Sequence, residues 1–282
     1  MDYEAEYDNR ARVPDFPDIV ADWIARSARL RGDVPAADLG IPYGPSSRQI
    51  LDVMWPDTTR KAPVVLFFHG GYWQRQHPRE VTFVAQGCLA HGVAVALAGY
   101  DLAPDVPLST IIAQARAAAV CLHHRIKRRM VASGHSAGGH LAAALTATHW
   151  HDLDDRGADD IVTAGVGLSG VYELEPLLPT RLNDALRLGE AEAHRLSPTF
   201  WPVPEGRQFS AFVGGEESSE FLRQSRDFAA AWAAQGITAD SAVIDGANHF
   251  SIVSQLADPA SAMVARLVDL ARATEDDRSP GA

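Results

Sequence analysis

The sequence predicts an α/β fold: a mostly parallel central sheet with helices on both faces. Three observations predict it. Strand-length apolar runs alternate with helix-length segments through most of the chain. One run, "APVVLFFHGG", is apolar throughout and stops at glycines, as a strand buried on both faces does. At 282 residues and 46% hydrophobic, the chain is long and apolar enough to bury a large core.

In chain order, residues 14–31 read as an amphipathic helix opened by Pro14 and closed before Gly32. "RQILDVMWP" alternates like a strand half exposed to solvent. The apolar run up to His69-Gly70-Gly71 is the next strand, followed by helix 78–91, strand 93–98, helix 107–127 and strand 130–133. Ala137 to Trp150 reads as an Ala-rich helix. Apolar runs at 161–168, 208–213 and 238–244 read as strands, with helices near 219–235 and 252–272. The proline-rich stretch 172–206 breaks the rhythm and reads as a small cap or insertion over the sheet edge. Residues 1–272 are expected to form a single domain, and the polar tail 273–282 to be disordered.

Composition excludes several function classes. A formal net charge of −11 argues against a nucleic-acid or anionic-membrane partner. No run approaches the roughly 20 apolar residues of a membrane span. The acidic start "MDYEAEYDNR" lacks the apolar stretch of a signal peptide. Cys88 and Cys121 supply neither a disulfide framework nor a metal-ligand spacing, which fits a reducing cytoplasm. No histidine pair has zinc spacing together with a carboxylate. No metal and no cofactor is expected. The expected partner is a small-molecule substrate, and a homodimer is compatible with the sequence.

The chemistry concentrates in "RMVASGHSAGGHLAAALTATHW". Gly134-His135-Ser136-Ala137-Gly138 fits G-x-S-x-G, a nucleophile held on a sharp turn between a strand and a helix. Both elements flank it here, which a mere turn serine does not require. A serine needs a base oriented by an acid. His249, in "VIDGANHFSIV" after the last strand, stands where that base belongs; the other histidines considered, at positions 91, 123, 124, 149 and 151, lie on or at the ends of predicted helices. The acid is expected in "FVGGEESSEF", which offers Glu216, Glu217 and Glu220, and spacing does not choose among them. Those not used are expected to cap the following helix, where negative charge complements its dipole. "FFHGGYW" provides an oxyanion loop in which Gly70 and Gly71 allow close backbone approach. The N–H groups of Gly71, Tyr72 and Ala137 are its expected donors, with His69 in a structural role. Tyr72 and Trp73 read either as an aromatic wall for substrate or as packing for the loop.

"HGGYWQ", "YDLAP", "GHSAGGHLAA", "SGVYELEPL", "EFLRQSRDF" and "NHFSIV" resemble the kynurenine formamidases of the α/β-hydrolase fold, within the wider hormone-sensitive-lipase-like esterases. The similarity runs from "EYDNRARVP" to the final helix. It implies an α/β-hydrolase fold and a triad whose aspartate lies in a D-S-P-E-F stretch. The matching stretch here is Glu217-Ser218-Ser219-Glu220-Phe221, which puts Glu217 in the acid's place as a departure from the family, with Glu216 second. The resemblance implies hydrolysis of N-formyl-L-kynurenine to L-kynurenine and formate. The alternative is a carboxylesterase for short acyl or aryl esters. A third class, a catalytically dead binding module on the same fold, would typically lack His249.

Overall fold

The computed structural model describes residues 1–153 and 160–276. Two short helices, α1 (Tyr3–Tyr7) and α2 (Asn9–Arg12), precede the long α3 (Phe16–Asp33). The strands are β1 (Ala36–Pro42), β2 (Ile50–Trp55), β3 (Val64–Phe68), β4 (Ala94–Ala98), β5 (Met130–His135), β6 (Val162–Leu168), β7 (Gln208–Gly214) and β8 (Thr238–Ile244). Between and after them run α4 (Ala85–Ala90), α5 (Leu108–Ile126), α6 (Ala137–Thr146), α7 (Asn183–Leu186), α8 (Glu190–Arg195), α9 (Ser219–Ala233), α10 (Ser251–Ser254) and α11 (Ala262–Asp276).

The strands form one sheet in the order β1-β2-β4-β3-β5-β6-β7-β8. β1, β2 and β4 pair antiparallel, and every pairing from β4 onward is parallel. Side chains alternate across the sheet. On one face Leu66 and Phe68 join α5, α6 and α9 residues such as Leu108, Leu141 and Phe228. On the other, Val65 and Phe67 meet α3, α4 and α11 through Trp23, Cys88 and Leu267. Covering both faces is why β3 is apolar throughout, each fully buried side chain contributing about 1.5–3 kcal/mol.

Several boundaries differ from expectation. β1 was not foreseen; it is a half-buried edge strand containing Gly40 and ending at Pro42, a composition with low strand propensity. β2 alternates in sequence, yet its residues from Leu51 to Trp55 are all buried. Its polar position explains the difference. Asp52 points at the end of α3, accepting from Arg31 (2.6 Å), the Gly40 N–H (2.6 Å) and Arg79 (3.4 Å). Helix 78–91 begins as two 3-10 turns, Pro78–Glu80 and Thr82–Val84, before α4. Pro259 divides 252–272 into α10, a 3-10 turn and α11, because proline cannot continue a helix. α11 then extends to Asp276, into the stretch expected to be disordered; residues 277–282 of that stretch lie outside the described residues. The 172–206 stretch carries α7 and α8 and joins β6 to β7. It does not cover an edge strand. It packs on α6 and α9, where His140 bonds to the Leu196 carbonyl and Trp232 to that of Pro198. Among the described residues no helix is long and apolar enough to cross a membrane.

Removing the Asp52 carboxylate leaves the largely buried Arg31 guanidinium and the Gly40 N–H without their acceptor. Asp52→Ala is expected to lower the unfolding free energy by about 3 kcal/mol, read by urea denaturation. A loss below about 0.5 kcal/mol would place it with ordinary surface substitutions instead.

Candidate active site

β5 leads directly into Ser136, whose backbone is left-handed at φ 56°, ψ −117°. For a residue with a Cβ this costs of order 1–3 kcal/mol. The flanking glycines make the turn sterically feasible. A Cβ at Gly134 would stand 2.2 Å from the Gly138 carbonyl oxygen, and one at Gly138 would stand 2.0 Å from that of Phe68. Any side chain at either position forces β3, β5 and α6 apart. The Ser136 N–H donates to Leu168 O at 2.8 Å, fixing the turn to β6.

The loops after β7 and β8 meet beside it. His249 donates from Nδ1 to Glu217 Oε2 at 2.6 Å, with the carboxylate fully buried and the imidazole side chain 5% exposed. The other carboxylate oxygen accepts from Ser169 Oγ (2.5 Å) and the Gly214 N–H (2.7 Å). A buried carboxylate is tolerable only when so satisfied. With its proton on Nδ1, the neutral His249 ring keeps Nε2 as an acceptor. Of the three glutamates, only Glu217 reaches the ring. Glu216 is exposed. Glu220 does not cap α9 as expected; it is buried and bonded by Tyr7, Arg223 and Gln224. The capping contacts at this end of α9 come from Ser218 and from Glu6 of α1, which accepts from the Glu220 N–H.

Two further histidines brace the site. His135 donates from Nε2 to the His249 carbonyl at 2.8 Å, so the residue between Gly134 and Ser136 positions the imidazole loop. His69 bonds through Nδ1 to Gly70 O and stacks on Tyr100 at 4.3 Å, while Tyr100 donates to the His69 carbonyl. This is the structural role expected of it. Burial holds both rings neutral: His135 lies well below the usual imidazole range and His69 falls to about 3.

Beyond His69 the chain runs through three consecutive left-handed residues, Gly71, Tyr72 and Trp73. Gly70 sits so close to Ser136 that a Cβ there would lie 3.2 Å from the serine's. Among the described residues, the N–H groups of Gly70, Gly71, Tyr72 and Ala137 are not taken up by backbone carbonyls. The turn sends its two aromatic rings in different directions. Tyr72 lines the cleft, its hydroxyl donating to Tyr7 O and accepting from Asn9. Trp73 does not form a substrate wall: it is fully buried, edge-on to His140 at 5.1 Å, and absent from the cleft lining. Its left-handed backbone turns the indole into the core beneath the loop.

Ser136, His135, His249 and Tyr72 open onto a cleft of about 340 Å³. One wall is Thr180–Leu182 of the inserted segment, and another is the N-terminal segment through Tyr7, Asp8, Asn9 and Arg10. Sequence reasoning missed Ser169, His135, Tyr7 and Asn9 as site residues, although all four fall inside stretches that carry the family resemblance. Among the described residues no cluster of His, Cys, Asp or Glu has the makings of a metal site.

Residues 65–252 match the family described as having the alpha/beta hydrolase fold, and the chain belongs to that family. Among its sequence relatives are proteins named kynurenine formamidase. It is 33% identical over 230 residues to that of Salmo salar, covering 78% of this chain and 77% of the relative. The Danio rerio protein is 30% identical over 228 residues, with the same coverage. Among solved structures, a protein provisionally named a thioesterase, from Silicibacter sp. tm1040, superposes with a TM-score of 0.85 at 29% identity, covering 94% of this chain and 98% of its own. A thermostable carboxylesterase from a metagenomic library shares the fold at a TM-score of 0.73 and 17% identity, covering 92% and 96%.

Two outcomes follow from this geometry. Glu217→Gln is expected to reduce kcat on the order of 10³ to 10⁴ by favouring the wrong imidazole tautomer, while exposed Glu216→Gln changes it less than about twofold. Comparable losses at both positions would contradict the pairing. The buried neutral rings also set an acid limit. His69, His135 and His140 (about 4) stay unprotonated in the fold but take up protons near pH 6.5 when unfolded. Stability should fall as pH drops below about 6.5, by up to ~1.4 kcal/mol per pH unit for each ring. Denaturation of the protein and of His140→Gln at about pH 6.5 and 5 should show a shallower slope in the variant; equal slopes would refute it.

Proposed function

We propose that this hydrolase cleaves aryl formamides such as N-formyl-L-kynurenine, with Ser136 as nucleophile, His249 as general base and Glu217 as its orienting acid. The observation that carries the proposal is the buried Glu217–His249 pair opening, beside the strained Ser136, into one cleft. The similarity to proteins named kynurenine formamidase supports the substrate class.

The reaction needs two displacements. Ser136 Oγ adds to the formyl carbon while His249 Nε2 accepts its proton, and the Glu217 carboxylate stabilises the imidazolium. Charge develops on the formyl oxygen, beside the free N–H groups of Gly71, Tyr72 and Ala137. His249 then protonates the departing aryl nitrogen, the C–N bond breaks, and the arylamine leaves a formyl ester on Ser136. Water, deprotonated by His249, adds to that ester; formate departs and the serine recovers its proton. Formyl is the smallest acyl group, which suits a serine pressed against Gly70. Tyr72 and Tyr7 supply aromatic surface for the aniline ring. The free thiols Cys88 and Cys121 support a reducing, cytoplasmic setting.

The purified protein should release formate from N-formyl-L-kynurenine with a kcat/KM well above that for p-nitrophenyl acetate or butyrate. Ser136→Ala should lose at least about 10⁴ in kcat without unfolding, and a chelator should leave the rate unchanged. Efficient ester cleavage with no formate release would establish the carboxylesterase alternative; a variant keeping a tenth of its activity would remove Ser136 from the mechanism.

A further inference from the structure

We propose that Arg10 and Arg75, at the mouth of the cleft, form an anion-recognition pair that binds the carboxylate at the amino-acid end of the substrate. The inference rests on the formamidase reading and names the group of that substrate the pair holds.

The charged residues of the cleft wall are Glu4, Asp8, Arg10, Arg75 and Arg181. Two are committed to each other: Arg181 pairs with Glu4 at 3.2 Å and also donates its backbone N–H to that carboxylate. Asp8 caps α2 through the Ala11 N–H and exerts an attractive pull on Arg10. Arg10 and Arg75 are different. Among the described residues neither forms an ion pair with a carboxylate. Both line the same cleft, and burial, with the Arg75 charge as a further cause, holds the Arg10 guanidinium below its ordinary range. The cleft wall thus carries three cations against two carboxylates, an excess of positive charge in a chain whose formal net charge is −11.

The segments that carry the two arginines also meet at the oxyanion loop. The Arg75 backbone packs on Gly71, where a Cβ would lie 2.6 Å from the Arg75 carbonyl oxygen. Arg10 follows Asn9, whose amide donates to the Tyr72 hydroxyl, and its guanidinium rests over the Phe16 ring at 5.1 Å. Arg75 is thereby carried on the loop itself, and Arg10 on the N-terminal segment that Tyr72 ties to it. N-Formylkynurenine has the matching layout. Its formyl group is on the ring nitrogen, and its carboxylate ends a side chain on the adjacent ring carbon, remote from the reacting bond. A guanidinium pair suits a carboxylate through fork-like, charge-assisted hydrogen bonds. Because that carboxylate is unchanged in the reaction, its recognition should act on KM rather than kcat.

The test compares N-formyl-L-kynurenine with 2′-formamidoacetophenone, which lacks the amino-acid group, and 3-acetoxybenzoate with phenyl acetate. Arg10→Gln and Arg75→Gln should each raise KM for the carboxylate-bearing member of a pair about tenfold. For the neutral member the change should stay within about twofold, and the Arg→Lys variants, which keep the charge but lose the fork, should recover only part of the loss. In the unmodified protein, the preference for the charged member should shrink as salt rises from about 0.05 to 0.5 M, since the mouth of the cleft is open to screening. Equal effects on charged and neutral members, or a preference insensitive to salt, would overturn the pair. Absence of any formamide cleavage would remove the activity reading alone, because the two acetyl esters still report on the arginines.

Discussion

The site depends on a backbone crossing. At Gly134 and Gly138, β5 and α6 approach each other and the end of β3 so closely that a single Cβ would meet a carbonyl oxygen near 2 Å. That contact forces the turn to be abrupt, and the abrupt turn holds Ser136 in a left-handed conformation it would not choose. Strand pairing supplies the compensation. β5 sits between β3 and β6, in register with both from Val131 to Gly134, and the Ser136 N–H is itself bonded to Leu168. The strained serine is a local cost carried by the most buried part of the sheet.

The Glu217–His249 pair faces the opposite problem, since a buried carboxylate needs partners to replace the water it gives up. Glu217 meets it with three donors drawn from three segments: Ser169 after β6, Gly214 at the end of β7, and His249 after β8. Ser169 is left-handed as well, and its N–H is held by Phe212. Consecutive parallel strands place these three loops at the same end of the sheet, so the topology gathers groups distant in sequence. From the loop after β7 the glutamate's arm brings Oε2 to 2.6 Å from His249 Nδ1.

The walls of the cleft are fastened through the same elements. Glu6 binds the start of α9, and Tyr7 joins the buried network of Glu220 and Gln224 on that helix. The N-terminal segment is thereby docked on the helix that follows the acid loop. Tyr72 completes the closure, bonded to both Tyr7 and Asn9. The inserted segment fixes the remaining wall, with Gln74 donating to the Leu182 carbonyl.

Local sequence alone determined the buried parallel strands, the serine turn and the glycine loop, because each has a short-range cause: unbroken apolar runs, glycines two residues either side of Ser136, and Gly70-Gly71 after β3. Chain order was enough to place His249. Tertiary structure decided what depends on contacts between distant residues. β2 alternates in sequence, yet Asp52 is buried because α3 brings Arg31 over it. "GGYWQ" does not reveal that successive left-handed residues turn Tyr72 toward the cleft and Trp73 into the core. Among Glu216, Glu217 and Glu220, spacing made no choice and family resemblance ranked Glu217 first. The choice is physical: only one of the three carboxylates lies where a serine, a backbone N–H and an imidazole converge, and that point exists only once β6, β7 and β8 are side by side.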